Sequence, residues 1–240
     1  QPMAAVPPLH HFWHKQHFVP FAFLNCGLFS KGLQEHPQVV RMGTMSKVTV
    51  FIGDSVTDCD RLSEPPYGFG YVSNIVASRR LGGEIINVGT SGHRLIDLEN
   101  RWDVDVLAHN PTLVSVAIGV NDMWRRYDDN DPTSVEDFED RYRRVLKVTK
   151  AHGNPDLVLC EPFLLSVREE MNTWREDLDP KIAVVHKMAN EFGAKLVRFD
   201  HRFNQLAQEI SMLELADDGV HPSQLGHTIM ADLWLDTVGL

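Results

Sequence analysis

Four short stretches of this sequence carry residue types that do chemistry once a fold brings them together. Gly53-Asp54-Ser55 offers a hydroxyl, Gly89 a close backbone approach, Gly119-Val120-Asn121-Asp122 a side-chain amide, and Asp218-Gly219-Val220-His221 a carboxylate and an imidazole three residues apart. The chemistry such a set supports is acyl transfer. A serine hydroxyl is a weak nucleophile until a histidine takes its proton, and the histidine needs a carboxylate to fix its tautomer and stabilise the imidazolium. Ser55, His221 and Asp218 suit those three parts. The tetrahedral intermediate carries an oxyanion, and one preorganised donor to it contributes about 3–4 kcal/mol. The candidate donors are the backbone N–H groups of Ser55 and Gly89 and the side-chain amide of Asn121.

Each part has a competitor. His227 lies six residues after His221, but a helix predicted over residues 223–238 carries it away from the rim. Asp217 adjoins Asp218, yet the three-residue spacing to His221 lets Asp218 share a tight turn with the ring, which leaves Asp217 to solvent. Asp54, Asp58 and Asp122 serve different loops and are expected to order them through backbone hydrogen bonds rather than to hold a metal. Trp124 and Tyr127 follow Asn121 closely, and aromatic faces there suit a sugar ring; ordinary packing of a long loop is the alternative. His93 is a polar loop residue with access to substrate as its second role. Trp102 falls on an apolar stripe and belongs in the core, and Cys59, with no histidine beside it in the sequence, reads as a small buried hydrophobe.

What positions these groups is an alternation of strand and helix. Apolar runs at 48–52, 85–88, 113–118, 157–160 and 195–199 read as strands. Helical patterns fill 70–81, 95–108, 134–152, about 180–192, 203–212 and 223–238. That order predicts a parallel sheet covered on both faces, with ligand groups just after the strands.

Taken in order, Gly53-Asp54-Ser55, Gly89, Gly119-x-Asn121-Asp122 and Asp218-x-x-His221 resemble the four blocks of the SGNH hydrolases, also called GDSL esterases, and span residues 45–240. The resemblance implies a flavodoxin-like three-layer α/β sandwich with a five-stranded parallel sheet and ester hydrolysis without metal or cofactor. Val56 departs from the leucine that many members carry. The stretches at 52–59, 119–128 and 220–227 are similar to the intracellular acetylxylan esterases of that family, which implies an oligosaccharide acetyl ester as substrate. A lysophospholipase or thioesterase, and a carbohydrate-binding relative that has lost the chemistry, are the alternatives. A flavin or nucleotide binder on the same architecture lacks its glycine-rich phosphate cradle, since Asp54 and Asp58 occupy the first turn.

The composition agrees. A formal charge of −10 disfavours nucleic acid, and three scattered cysteines, Cys26, Cys59 and Cys160, build no disulfide framework. Free thiols suit a reducing, cytoplasmic setting. The first 44 residues differ: they hold five of the 12 histidines, one acidic side chain and three basic ones, leaving −12 for the other 196 residues. Prolines flank His10, His11, His14 and His17, and the apolar stretch 18–29 is too short to cross a membrane. This prefix is expected to be an unstructured or non-native extension ahead of a start at Met45, with a degenerate export signal, hence secretion, as the alternative. No membrane or macromolecular partner is expected; self-association into a homo-oligomer is left open.

Overall fold

The computed structural model describes residues 46–62 and 66–240. The expectations for the prefix, its histidine tract, Cys26 and Met45 fall outside them.

Strand β1 (Val48–Gly53) is buried along its whole length, as a β-branched run inside a parallel sheet should be. It pairs on one side with β2 (Glu84–Asn87) and on the other with β3 (Leu113–Ala117), followed outward by β4 (Asp156–Cys160) and β5 (Lys195–Val197). The order is therefore β2-β1-β3-β4-β5, all parallel. Register fixes which side chains go to which face. Val48, Val50, Ile52, Val114, Val116, Leu157 and Leu159 point one way, under α3 (Leu95–Asp105), α5 (Val135–Ala151) and α6 (Arg175–Phe192). Phe51, Ala117, Val158, Cys160 and Val197 point the other way, under α2 (Tyr71–Ser78), α7 (Phe199–Leu206), α8 (Met212–Leu215) and α9 (Gln224–Val238). The result is the expected three-layer α/β sandwich. Two tryptophans tie helix to core through their ring N–H: Trp102 donates to Thr149 Oγ1 at 2.9 Å and Trp234 to Ser115 Oγ at 3.0 Å.

Several boundaries differ from expectation for physical reasons. The segment read as a long loop at 120–128 is a helix, α4 (Val120–Asp128). Its buried positions include Asn121 and Asp122, so no apolar stripe announced it. Helix α6 begins five residues before Pro180 and carries that proline inside, although a proline there lacks the N–H for an i−4 bond. The first turn is held instead by Trp174 and Leu178 in a small apolar cluster with Val120, Met123 and Val220, and by the two-pronged Arg175–Asp200 pair. Strand β5 stops at Val197, and Phe199 opens α7 instead of ending the strand.

Strand β1 is paired on both sides and buried along its length, so a side chain lost from it leaves an enclosed cavity. Ile52→Ala, at a fully buried site, is expected to lower unfolding free energy by about 2–5 kcal/mol. Urea unfolding should show a lower midpoint with an unchanged slope.

Candidate active site

The carboxyl ends of β1, β2 and β3 deliver three turns to one rim. After β1, the single-turn helix α1 (Ser55–Asp58) starts at once, because Asp54 caps it: Asp54 Oδ1 accepts the N–H of Val56 at 3.0 Å. With the Val56 N–H engaged, the N–H of Ser55 is left without an acceptor among the described residues. The Ser55 hydroxyl lies 2.9 Å from His221 Nε2, and His221 Nδ1 lies 2.7 Å from Asp218 Oδ2. The other Asp218 oxygen accepts the backbone N–H of Val220 at 2.8 Å and of His221 at 2.7 Å.

The electrostatics follow from those contacts. Partial burial opposes charge on Asp218, but the hydrogen bonds from the His221 ring and the two N–H groups outweigh it and hold the carboxyl at about 2. It is ionised at neutral pH, so the His221 proton sits on Nδ1 and Nε2 presents its lone pair to the serine. The Asp218 hydrogen bond raises the His221 pKa against the opposing effect of burial. Asp217 is solvent-exposed. His227 is buried and held down to about 4 by that burial; its Nδ1 accepts the N–H of Tyr71 at 3.2 Å. The ring's other nitrogen lies 3.5 Å from Cys59 Sγ, which corrects the expectation for Cys59: the thiol is half-buried and has a histidine neighbour in space. Burial raises the Cys59 pKa, so the group remains a thiol.

Gly89 requires a second correction. Its N–H, expected to face the oxyanion, is donated to Asn87 Oδ1 at 2.9 Å, and the residue is buried. A Cβ there would lie 2.3 Å from the backbone nitrogen of Asp58, so glycine is needed for close packing of this turn on α1. The exposed residue is Gly92, at φ +78°. Around it the loop is saturated. The N–H of Val88 goes to Phe51 O, Thr90 to Gly53 O, Ser91 to Asp58 Oδ2, His93 to Thr90 O, Arg94 to Asp97 Oδ2 and Leu95 to both oxygens of Asp122. From Val88 to Leu95 the N–H of Gly92 alone has no acceptor among the described residues. Nothing in the sequence separated Gly92 from Gly89; the distinguishing signal, Asn87, is visible only as a side chain that turns back on its own loop.

Helix α4 supplies the third donor. One N–H of the Asn121 amide goes to His93 O at 3.1 Å, which leaves the other for a ligand. Ser55, Asn121 and His221 share a cavity of about 330 Å³ with Ser91, Gly92, Trp124, Arg125 and Asp128. Of the expected substrate contacts, Trp124 is therefore in place, its ring 6.1 Å from that of His221. Tyr127 is not: it stacks on Trp174 at 5.1 Å, behind Trp124. His93 is not either, since it meets the site only through its carbonyl, and burial lowers the pKa of its ring. Sequence reasoning missed Ser91, Arg125 and Asp128 as cavity residues. Among the described residues no group of three or more His, Cys, Asp or Glu side chains converges as a metal site would require, and no helix is long and apolar enough to cross a membrane.

Comparison with known proteins gives a consistent picture. The model of the GDSL-like lipase/acylhydrolase family matches residues 51–229. An acetylxylan esterase of Geobacillus stearothermophilus is 33% identical over 214 residues, 83% of this chain and 97% of that one. Its crystal structure superimposes with a TM-score of 0.74 over 81% of this chain and 94% of that one. Solved variants of that enzyme described as catalytic mutants replace a serine, a histidine and an aspartate, the last two three residues apart. Thioesterase 1/protease 1/lysophospholipase L1 of Escherichia coli is 26% identical over 153 residues, 63% of this chain and 64% of that protein.

The saturated loop has a test of its own. Asn87→Ala strands the Gly89 N–H and the carbonyls of Thr57 and Tyr67, to which the amide donates at 2.8 and 3.0 Å. It is expected to cost at least about 2 kcal/mol in urea unfolding. If the midpoint does not move, the loop is not held as described.

Proposed function

Because this chain belongs to the GDSL-like lipase/acylhydrolase family and is a carboxylic ester hydrolase, we propose that Ser55, His221 and Asp218 are its catalytic residues and that it removes acetyl groups from carbohydrates such as xylo-oligosaccharides. The single observation that carries the catalytic assignment is the unbroken chain from Ser55 Oγ through both His221 ring nitrogens to Asp218. His221 Nε2 takes the serine proton as Oγ attacks the ester carbonyl. The carbonyl oxygen becomes an oxyanion met by the N–H of Ser55, the N–H of Gly92 and the free N–H of Asn121. Gly92 replaces Gly89 in this role, since its N–H is unengaged and borders the cavity. The intermediate collapses, the imidazolium gives its proton to the departing sugar oxygen, and the acetyl group stays on Ser55. Water, deprotonated by the same histidine, then releases acetate and restores the hydroxyl.

Several observations favour a short acyl group on a sugar. Among the described residues, every one bordering the cavity is polar, aromatic or glycine, with no aliphatic side chain to hold a long acyl tail. Trp124 offers the aromatic face that suits the C–H side of a sugar ring. The net charge of −12 over the last 196 residues disfavours an anionic lipid surface. The resemblance to the Geobacillus acetylxylan esterase points the same way, whereas the match to the Escherichia coli thioesterase and lysophospholipase is weaker and shorter.

Four outcomes are expected. Ser55→Ala should lower kcat on p-nitrophenyl acetate by at least about 10⁴-fold; a variant as fast as the parent overturns the mechanism. Acetyl esters should be cleaved faster than octanoyl and longer ones, and a preference for the long chains would favour the lysophospholipase or thioesterase alternative. The base must be neutral to act, so kcat/KM should rise with pH through a midpoint above the ordinary imidazole value of about 6.5, because Asp218 raises the His221 pKa. Asp218→Asn removes that stabilisation of the imidazolium; the residual rate should be about 10⁴-fold lower and its acid limb displaced to lower pH.

A further inference from the structure

Helix α4 presents Asn121, Trp124, Arg125 and Asp128 to the cavity, at positions i, i+3, i+4 and i+7. That spacing is one face of a helix, so the four side chains form a single stripe. At 1.5 Å per residue, the stripe runs about 10 Å from the oxyanion donor outward along the cavity. Its inner end belongs to the reacting ester. Its outer end must face whatever the ester is attached to.

That outer end is a matched pair. Arg125 Nη1 is tied to Asp128 Oδ2 and lies 3.5 Å from Asp129 Oδ2. The described residues give Arg125 Nη2 and Nε, and the second Asp128 oxygen, no hydrogen-bond partner. Nη2 sits over the oxyanion loop, 3.8 Å from where a Cβ on Gly92 would be. Both side chains are about one-third exposed, at 28% and 35%. As a stabilising device, an i,i+3 ion pair at this exposure contributes little. As a recognition element it presents a fixed donor beside a fixed acceptor, next to the aromatic face of Trp124. Two carboxylates against one guanidinium leave the spot negative, so an anionic group is disfavoured there.

We infer that Arg125 and Asp128 form a subsite for a neutral vicinal diol: Arg125 donates a hydrogen bond to one sugar oxygen and the free Asp128 oxygen accepts a hydrogen bond from the neighbouring hydroxyl. The subsite rests on the carbohydrate-ester reading and sharpens it. The preferred substrate is a partly acetylated sugar that keeps free hydroxyls beside the ester, and full acetylation removes the O–H that donates to Asp128. The enzyme would then act late on a heavily acetylated chain, after other deacetylation has exposed a hydroxyl.

The test compares a monoacetylated xylobioside with its fully acetylated counterpart, for the parent, Asp128→Asn and Arg125→Gln. The parent should favour the monoacetylated sugar by roughly tenfold or more in kcat/KM, about the effect of one or two hydrogen bonds. Each variant should reduce that preference to within about threefold, chiefly through a higher KM on the monoacetylated sugar, with a smaller change on p-nitrophenyl acetate. Circular dichroism of the variants checks that α4 is intact. A parent that cleaves both sugars without preference, or variants that keep the parent's preference, overturns the subsite while leaving the carbohydrate-ester reading standing. A parent that releases acetate from neither sugar but cleaves p-nitrophenyl acetate overturns both.

Discussion

The site depends on one constraint, the saturation of the loop between β2 and α3. Seven of its eight consecutive backbone N–H groups are already donated, to the sheet, to its own turn, or to carboxylates on α1, α3 and α4. Its carbonyls are held as well: Arg101 reaches Val88 O at 2.7 Å, Arg61 donates to Gly89 O, and Asn121 to His93 O. A loop fixed from so many directions cannot turn a second donor toward the cavity, nor withdraw the one that is left. Donors that need no reorganisation when charge develops are what electrostatic catalysis requires. The same contacts make α1, α3 and α4 a single block around the serine.

Holding that block has an electrostatic cost. Burial pushes Asp54 and Asp122 up to about 7, against hydrogen bonds from Val56 and Leu95 that favour the charged forms. A carboxyl whose folded pKa exceeds its unfolded one binds its proton more tightly in the native state. These two groups therefore lower stability progressively as pH rises from about 4 toward 7. Asp218, held near 2, acts in the opposite sense: its contribution is present above the ordinary carboxylate range and is lost as pH falls toward 2. The arrangement that orders the site thus opposes folding at near-neutral pH, where the proposed base His221 is to act, and the core must supply the difference. Lys181 belongs to the same compromise. Fully buried, it donates to Asp177 Oδ2 at 2.9 Å and its charge eases the ionisation of Asp122.

The sequence disclosed what rests on hydrophobic pattern and on local spacing. Apolar runs located each strand of the sheet, and the three-residue interval between Asp218 and His221 marked a turn short enough to bring carboxylate and ring together. It concealed what depends on polar side chains that act as structure. Helix α4 was missed because its inward residues include Asn121 and Asp122, and the start of α6 because Pro180 argues against a helix that tertiary packing nevertheless imposes. Gly89 and Gly92 are chemically identical three residues apart, and only the fold of Asn87 over its own loop distinguishes the packed one from the exposed one. Proximity to Asn121 in the sequence suggests that Tyr127 meets a sugar ring; helical geometry turns it onto Trp174 instead.

The hydrogen bond between Ser55 and His221 joins residues 166 positions apart. Its two partners belong to the first strand-to-helix turn and to the turn before α9, so neither can be competent until nearly the whole sheet has formed between them. Contacts of such separation form late, after the loop-closure entropy has been overcome. Activity is therefore a clock for the completion of folding. Until the turn that carries His221 has docked, Ser55 lacks its imidazole partner, and recovery of hydrolysis after dilution from denaturant is expected to trail recovery of helical signal.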